Sequence, residues 1–184
     1  MDELSEFRRE KDRFFATDLQ SPLTPEQKHH FHGLSYFPEN PDLHLEVAVE
    51  EFPKKDTIQM QTSTGGVQTY TRYGRFKFTV DKQQAELTLY VSRSGFFLPF
   101  ADSLAGRETY GAGRYLEPEP LGGGKFLVDF NLAYNPYCAY NDMWTCPLTP
   151  PENRLKVPIR AGERVFHEDE TEAGADPHEA SQRH

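Results

Sequence analysis

Two thiols, Cys138 and Cys146, frame the most reactive part of this chain. They lie in the stretch KFLVDFNLAYNPYCAYNDMWTCPLTPPENRLKVPIRAGE, Lys125 to Glu163, together with the only tryptophan, Trp144, a Tyr-Asn-Pro turn at Tyr134 to Pro136 and a Pro-Pro-Glu-Asn run at Pro150 to Asn153. A cysteine attacks as its thiolate, so Cys138 as the nucleophile of a hydrolase or transferase requires a base and an electropositive setting. No histidine occurs between His44 and His167, and such a base has to come from His29, His30, His32 or His44 across the fold. Structural zinc sites usually separate paired cysteines by about two to four residues, and the spacing here is wider, so no metal is expected. The run His29-His30-Phe31-His32 lacks the i, i+4 pair of a helical zinc motif and suits a helix end facing carbonyls or solvent. The plainer reading of the two cysteines is packing: small buried side chains that clamp a loop.

A second constellation is aromatic and amide. Tyr134, Tyr137, Tyr140 and Trp144 offer stacking faces, and Asn131, Asn135 and Asn153 offer orienting amides, which together suit a pocket for a small polar molecule. The same residue types plug the open end of a sheet structure or build ordinary turns. Arg114, Asp129 and Glu163 form a third set, read either as an ionic cluster anchoring the loop or as an anion-binding group. The candidate ligand set is therefore Tyr110, Arg114, Asp129, Asn131, Tyr134, Asn135, Tyr140 and Asn153, with Cys138 as the candidate catalytic residue. Tyr110-Gly111-Ala112-Gly113-Arg114 is not a nucleotide loop, because the third glycine and the following helix are missing and Pro118 and Pro120 come next.

These residues need a scaffold, and the hydrophobic pattern supplies one. Asp2 to Ala16 places Leu4, Phe7, Lys11, Phe14 and Phe15 near one helical face, expected to dock on the edge of the core. Thr24-Pro25-Glu26-Gln27 matches a capping box that opens a short second helix ending near Gly33. From Leu43 the period becomes two: Leu43, Leu45, Val47 and Val49 alternate with His44, Glu46, Ala48 and Glu50. Thr57 to Thr62 and Val67 to Tyr73 read as further strands, and Gly74 as a bulge or bend. Phe76, Phe78 and Val80 pair with Leu87, Leu89 and Val91 as a hairpin. Pro99 argues that Phe96 to Phe100 is an edge or irregular crossing segment rather than a regular strand. Phe126, Val128 and Phe130 form a strand that leads into the motif loop 129–153, and Leu155 to Ile159 reads as a short closing strand. The expected architecture is mainly β, an antiparallel β-sandwich or partly closed barrel, with an N-terminal helical segment over 1–33 packed on the core, a β domain over 34–163 and an acidic, disordered tail over 164–184. The loop is expected to hold one geometry, with both cysteines largely buried and Arg114 meeting a carboxylate of Asp129 or Glu163, because an unpaired buried guanidinium is costly.

Four motifs, TYGAGRYL (Thr109 to Leu116), DFNLAYNPYCAY (Asp129 to Tyr140), CPLTPPEN (Cys146 to Asn153) and IRAGE (Ile159 to Glu163), closely resemble a family of uncharacterised prokaryotic proteins, domain of unknown function 1684. The resemblance covers nearly everything but the tail. It implies a sandwich similar to those of forkhead-associated domains, and it implies no catalytic residue, because none is established for the family.

Composition narrows the partners. The formal charge is -9, and seven acids against Arg164 and Arg183 place -5 of it in Ala161 to His184. The body is thus mildly acidic and lacks the basic surface that nucleic acid requires, so no nucleic-acid partner is expected. A mean hydropathy of -0.74 coexists with fourteen Phe and nine Tyr, which marks a folded domain rather than a disordered chain. The N-terminus lacks the apolar core of a secretory signal, and no window approaches the ~18 apolar residues of a membrane span, so a cytoplasmic protein with reduced thiols is expected. The leading reading is a binding module for a small polar ligand at the Asn131 to Asn153 loop. The alternatives are a hydrolase or transferase acting through Cys138, and a structural or protein-interaction domain. The sequence specifies neither a cofactor nor an oligomeric state.

Overall fold

The computed structural model describes residues 2–166. The expected acidic tail falls mostly on 167–184, outside the described residues. Two compact units divide the chain, one holding Met1–Leu34 and the other formed by Ser35–Val165.

In the first unit, helix α1 (Glu3–Thr17) starts where the Asp2 carboxylate accepts the Ser5 N–H at 2.7 Å, with Glu3 and Glu6 near the positive end of the helix dipole. Helix α2 (Pro25–His30) opens on the expected capping box: the Gln27 N–H donates to Thr24 Oγ1 at 3.1 Å, and the Thr24 N–H donates to Gln27 Oε1 at 2.8 Å. Phe15 is buried with its ring 6.3 Å from that of Phe31, whereas Phe7 remains 45% exposed. No described helix is long and apolar enough to cross a membrane.

The second unit is mainly β. Strands β1 (His44–Ala48), β8 (Glu119–Gly122) and β9 (Lys125–Asp129) form an antiparallel sheet in the order β1-β9-β8. Strands β2 (Glu50–Glu51), β4 (Val67–Val80), β5 (Gln83–Ser92), β6 (Gly95–Phe100) and β7 (Arg114–Leu116) form the larger sheet in that order, and β3 (Thr57–Gln61) also pairs with β4. Both sheets are antiparallel and neither closes into a barrel. Val47, Phe126 and Val128 from the small sheet pack in one cluster with Phe76, Phe78, Leu87, Leu89, Leu98 and Phe100 from the large one, the arrangement of a sandwich. A second cluster of Met60, Tyr90, Phe97 and Tyr115 lies apart from the first.

Three expectations change. Val67 to Tyr73 and Phe76 to Val80 are one strand, with the pairing to β5 slipping between Arg72 and Gly74. Gly74 is where the chain passes closest to β2, and a Cβ there would stand 2.6 Å from the Glu50 carbonyl oxygen. Phe96 to Phe100 belongs to a regular internal strand, β6. It pairs with β5 only over Gly95 to Phe97 and with β7 only over Leu98 to Phe100, so the ladder to β5 is already released at Pro99. Leu155 to Ile159 is not a strand. Its buried residues Val157 and Ile159 run as irregular chain: the Leu155 N–H donates to the Ala101 carbonyl at 2.7 Å, the Val157 carbonyl accepts the Ser103 N–H at 3.0 Å, and the Ile159 N–H and carbonyl go to the Asp102 and Arg114 side chains.

Candidate functional site

The motif loop starts at the end of β9 and returns through Glu163, and its polar side chains divide between those that hold the fold and those left available for chemistry. Arg114 on β7 belongs to the first group. It is 1% exposed, with its guanidinium 5.1 Å from the Phe100 ring centroid and 6.0 Å from that of Phe37. It donates to the carbonyl oxygens of Ala161, Glu163 (3.0 Å) and Ile159 (2.8 Å), and the nearest carboxylate oxygen is that of Asp102 at 4.0 Å. The expected pairing with Asp129 or with the Glu163 carboxylate is not formed. The irregular Ile159 to Glu163 segment presents three carbonyls to it, and a planar fork with five N–H donors matches several acceptors at once. Burial lowers the Arg114 pKa to about 10, against the opposing charges of Asp102 and Glu163, and the group stays cationic at neutral pH. Gly113 beside it has φ +102, and a Cβ there would lie 2.6 Å from the Phe100 carbonyl oxygen, so only glycine fits this approach.

The other carboxylates and amides are engaged as well. Asp102 accepts from Thr109 Oγ1 at 2.6 Å and from the Ile159 N–H at 2.7 Å. The buried Glu163 carboxylate accepts from the Tyr140 hydroxyl and from the Asn135 N–H at 3.2 Å; burial and this anion push the Tyr140 pKa well up. Asn135 Nδ2 donates to the Arg164 carbonyl at 2.9 Å. Asp129 faces His44 Nδ1 at 3.2 Å and accepts from Asn131, whose side chain also exchanges two hydrogen bonds with the Asn40 backbone. Tyr134 donates to Glu117 and sets its ring edge-on to Tyr115. Asn153 is fully buried: Oδ1 accepts the Thr88 N–H at 2.9 Å, and Nδ2 donates to the carbonyls of Thr88 and Pro99, each at 2.8 Å. It occupies the gap that opens between β5 and β6 at Pro99. Asn131 and Asn153 thus brace the fold through their side-chain amides, whereas Asn135 Oδ1 is buried with no hydrogen-bond partner among the described residues.

What remains is a thiol cluster and a groove. The chain folds back through the 3-10 turn Tyr137–Ala139, and the Cys138 N–H donates to Cys146 Sγ at 3.3 Å. Cys146 is buried and fixed to the turn after β3, its N–H donating to Ser63 Oγ at 3.1 Å and its carbonyl accepting the Ser63 N–H at 2.9 Å. Cys138 is half-buried rather than enclosed, and Tyr110 Oη lies 3.7 Å from its sulfur. The hydrogen bond from Cys146, against the cost of burial and with help from the Tyr110 and Ser63 hydroxyls, brings the Cys138 pKa down to about 6, while Cys146 is pushed up because it keeps the shared proton. The pair titrates as one unit, and its first proton leaves near the lower value. Burial and the Cys138 sulfur push Tyr110 up, so it remains a hydroxyl donor. The partners of Cys138 are a thiol and two hydroxyls, not an imidazole.

A labelling result follows from this geometry. An ordinary thiol with a pKa of ~8.5 is only a few per cent ionised at neutral pH, whereas Cys138 is mostly thiolate there. Iodoacetamide at pH 7 is expected to label Cys138 about ten-fold faster than an unstructured cysteine peptide and to leave Cys146 unlabelled, with the rate falling as pH drops through about 6. A labelling midpoint near that of a free thiol would show that the thiol–thiol hydrogen bond does not act on Cys138 in solution.

A groove of about 420 Å³ runs between β3 and the Leu148 to Pro151 segment, with Ile58, Met60, Leu148 and Pro150 on its walls and Arg154 along it. The Arg154 side chain gives one hydrogen bond, to the Gly111 carbonyl at 3.3 Å, and has no carboxylate partner among the described residues. Thr149 also lines the groove, and its buried Oγ1 has no hydrogen-bond partner. Ser63, Asp102 and Arg154 are absent from the sequence-based set. Their roles arise from contacts between distant segments, Ser63 with Cys146 and Asp102 with Ile159, for which local spacing carries no signal.

A family model described as a protein of unknown function (DUF1684) matches residues 29–164. A solution NMR structure of an uncharacterized protein from Haloarcula marismortui is similar over 88% of this chain and 91% of its own, with 38% sequence identity and a TM-score of 0.66. No curated protein matches the chain.

Proposed function

This chain belongs to the family of proteins of unknown function DUF1684, and we propose that it is a binding module for a small ligand carrying a carboxylate on a short apolar body, held in the groove between β3 and Leu148 to Pro151. The observation that carries the reading is the groove itself, whose 420 Å³ falls in the usual range for small-molecule sites and whose walls are mostly apolar beside one arginine without a carboxylate partner among the described residues. Arg154 supplies a forked donor for the carboxylate, and Ile58 and Leu148 supply apolar contact. The site thus lies at the C-terminal end of the motif loop, where Pro150, Pro151 and Arg154 flank the buried Asn153. A hydrolase or transferase acting through Cys138 has less support, because no imidazole is among the partners of that sulfur. The reading takes the protein as cytoplasmic, where the glutathione pool keeps both thiols reduced at rest.

Octanoate, octanol and octylamine are the probes. Octanoate is expected to raise the melting temperature saturably and to shift amide resonances of Ile58, Met60 and Leu148, octanol to do so weakly and octylamine not at all. Arg154→Ala is expected to weaken octanoate binding about ten-fold or more, the loss of one charge-assisted hydrogen-bonding group. Equal binding of octanoate and octylamine, or unchanged binding by Arg154→Ala, would overturn the proposal.

A further inference from the structure

The groove leaves the thiol cluster unused, and the cluster has the features of a reacting pair rather than of two packed side chains. Packing alone favours enclosing both sulfurs in apolar surroundings. Here one sulfur is half-open and the other closed, and both sit among polar groups: Ser63 Oγ, Tyr110 Oη and the Cys138 N–H. The Cys146 sulfur touches the main-chain nitrogen of Cys138, so the two sulfurs lie within a side chain's reach of one another and of the ~2.05 Å bond between them. The segment joining them turns back tightly, with the Trp144 N–H donating to the Asn141 carbonyl at 3.2 Å and the Met143 N–H to Asn141 Oδ1 at 3.0 Å. Met143 is 83% exposed and Trp144 40% exposed, and the tip is tied to the turn after β3 by surface hydrogen bonds, from Ser63 Oγ to the Trp144 carbonyl at 3.2 Å and between the Thr64 and Thr145 hydroxyls at 3.0 Å. Its exit is fixed: the Tyr115 hydroxyl donates to the Pro147 carbonyl, and the Leu148 N–H donates to the Gln61 carbonyl at 2.8 Å. A change between the thiols therefore stays within the tip.

We propose that Cys138 and Cys146 are a reversible thiol–disulfide pair, in which a hydroperoxide oxidises the open thiol and the closed thiol resolves it. The Cys138 thiolate attacks the terminal oxygen of the hydroperoxide; an S–O bond forms, the O–O bond breaks, and the leaving oxygen takes a proton from water. Cys138 is now a sulfenic acid. The Cys146 sulfur then attacks the Cys138 sulfur, the S–S bond forms, the S–O bond breaks, and hydroxide leaves with the Cys146 proton as water. Two thiols and one hydroperoxide thus give one disulfide, one alcohol (water, for hydrogen peroxide) and one water. Two electrons pass from the thiols to the peroxide, and a dithiol reductant reverses the change. The half-open position of Cys138 admits the peroxide, and the buried position of Cys146 keeps it from reacting first. The Tyr110 hydroxyl lies against the Cys138 sulfur, and Ser63 Oγ holds the Cys146 side by accepting its N–H and donating to the Trp144 carbonyl.

The test uses the full chain, fully reduced and then exposed to stoichiometric hydrogen peroxide at pH 7. The expected result is loss of both thiols, a fall in monomer mass of about 2 Da, a single linkage between the Cys138 and Cys146 peptides, and recovery with dithiothreitol. Trp144, the only tryptophan, lies between the two cysteines with its ring 5.1 Å from Tyr137, so its emission is expected to change with oxidation and to return on reduction. Cys146→Ser is expected to stop at a sulfenic acid on Cys138 that dimedone traps, and Cys138→Ser to consume peroxide about ten-fold more slowly or worse. Survival of both thiols, disulfide dimers between chains, or a sulfinic acid on Cys138 beside an intact Cys146 thiol would each overturn the proposal. The wild-type measurement decides it even if either variant fails to fold.

Discussion

Arg114→Met is expected to lower the stability of the Ser35–Val165 unit by about 3–5 kcal/mol, the range for removing one partner from a buried charge network. Methionine nearly fills the volume and keeps the contact with Phe100, so the loss is polar rather than steric. Three carbonyls, of Ile159, Ala161 and Glu163, lose their donor together, and Asp102 loses the cation 4.0 Å away that offsets its burial. Asp102 keeps its bonds from Thr109 and the Ile159 N–H, which sets the effect below a full unpaired charge. A shift in melting temperature of roughly 10 °C follows for a domain of this size. Arg114→Lys is expected to recover only part of the loss, since one ammonium cannot reproduce a fork that reaches three separate carbonyls. Both variants are read by urea denaturation, where the midpoint moves and the slope does not. A variant melting like the parent would mean that water, or a rearranged Ile159 to Glu163 segment, satisfies those carbonyls without the arginine.

Alternation carried most of the fold. Leu43, Val47, Phe76, Phe78, Leu87, Leu89, Phe126 and Val128 are buried where a period of two places them, and the capping box at Thr24 is formed as its spacing requires. The errors fall where a side chain from elsewhere replaces a strand neighbour. Pro99 marks a real break in pairing, but the break affects one side of β6 over part of its length, and Asn153, distant in sequence, fills it. Leu155 to Ile159 looks like a strand because Val157 and Ile159 alternate and are buried, yet only the Leu155 N–H and Val157 carbonyl meet the Ala101 to Ser103 backbone, and the Asp102 and Arg114 side chains take the Ile159 groups. The same reason limited the reading of the site. Asn131, Asn135 and Asn153 have the chemistry of ligand-orienting amides, and only long-range contacts reveal that Asn131 and Asn153 bond to Asn40, Thr88 and Pro99 and that Asn135 Nδ2 bonds to Arg164. The thiol pair was visible as a spacing; its uneven burial and the hydroxyls around it depend on the turn after β3, which local sequence does not connect to Cys146.

Asn153→Leu is the variant expected to match Arg114→Met in cost, at about 4 kcal/mol. The side chains are similar in volume, so no large cavity opens, but the Thr88 N–H and the carbonyls of Thr88 and Pro99 are left buried without partners. Each such group costs about 1–3 kcal/mol. Asn153→Asp separates this hydrogen-bonding account from a loss of shape. An ionised carboxylate at this position accepts the Thr88 N–H but sets negative oxygen against two carbonyls, so its pKa in the folded chain is raised above that of the unfolded chain. For an acid shifted upward, the penalty is absent below the unfolded pKa of ~3.9 and grows as pH rises through the interval to the folded value. Relative to the parent, Asn153→Asp is therefore expected to be strongly destabilised at pH 7 and much less so at pH 4, where its protonated oxygen can donate to one of the two carbonyls. Asn153→Leu has no group to titrate and keeps the same deficit at both. Urea midpoints of the three proteins at the two pH values test this directly. If the deficit of Asn153→Asp does not shrink on acidification, the Asn153 amide is not what joins β5 to β6 across the break at Pro99.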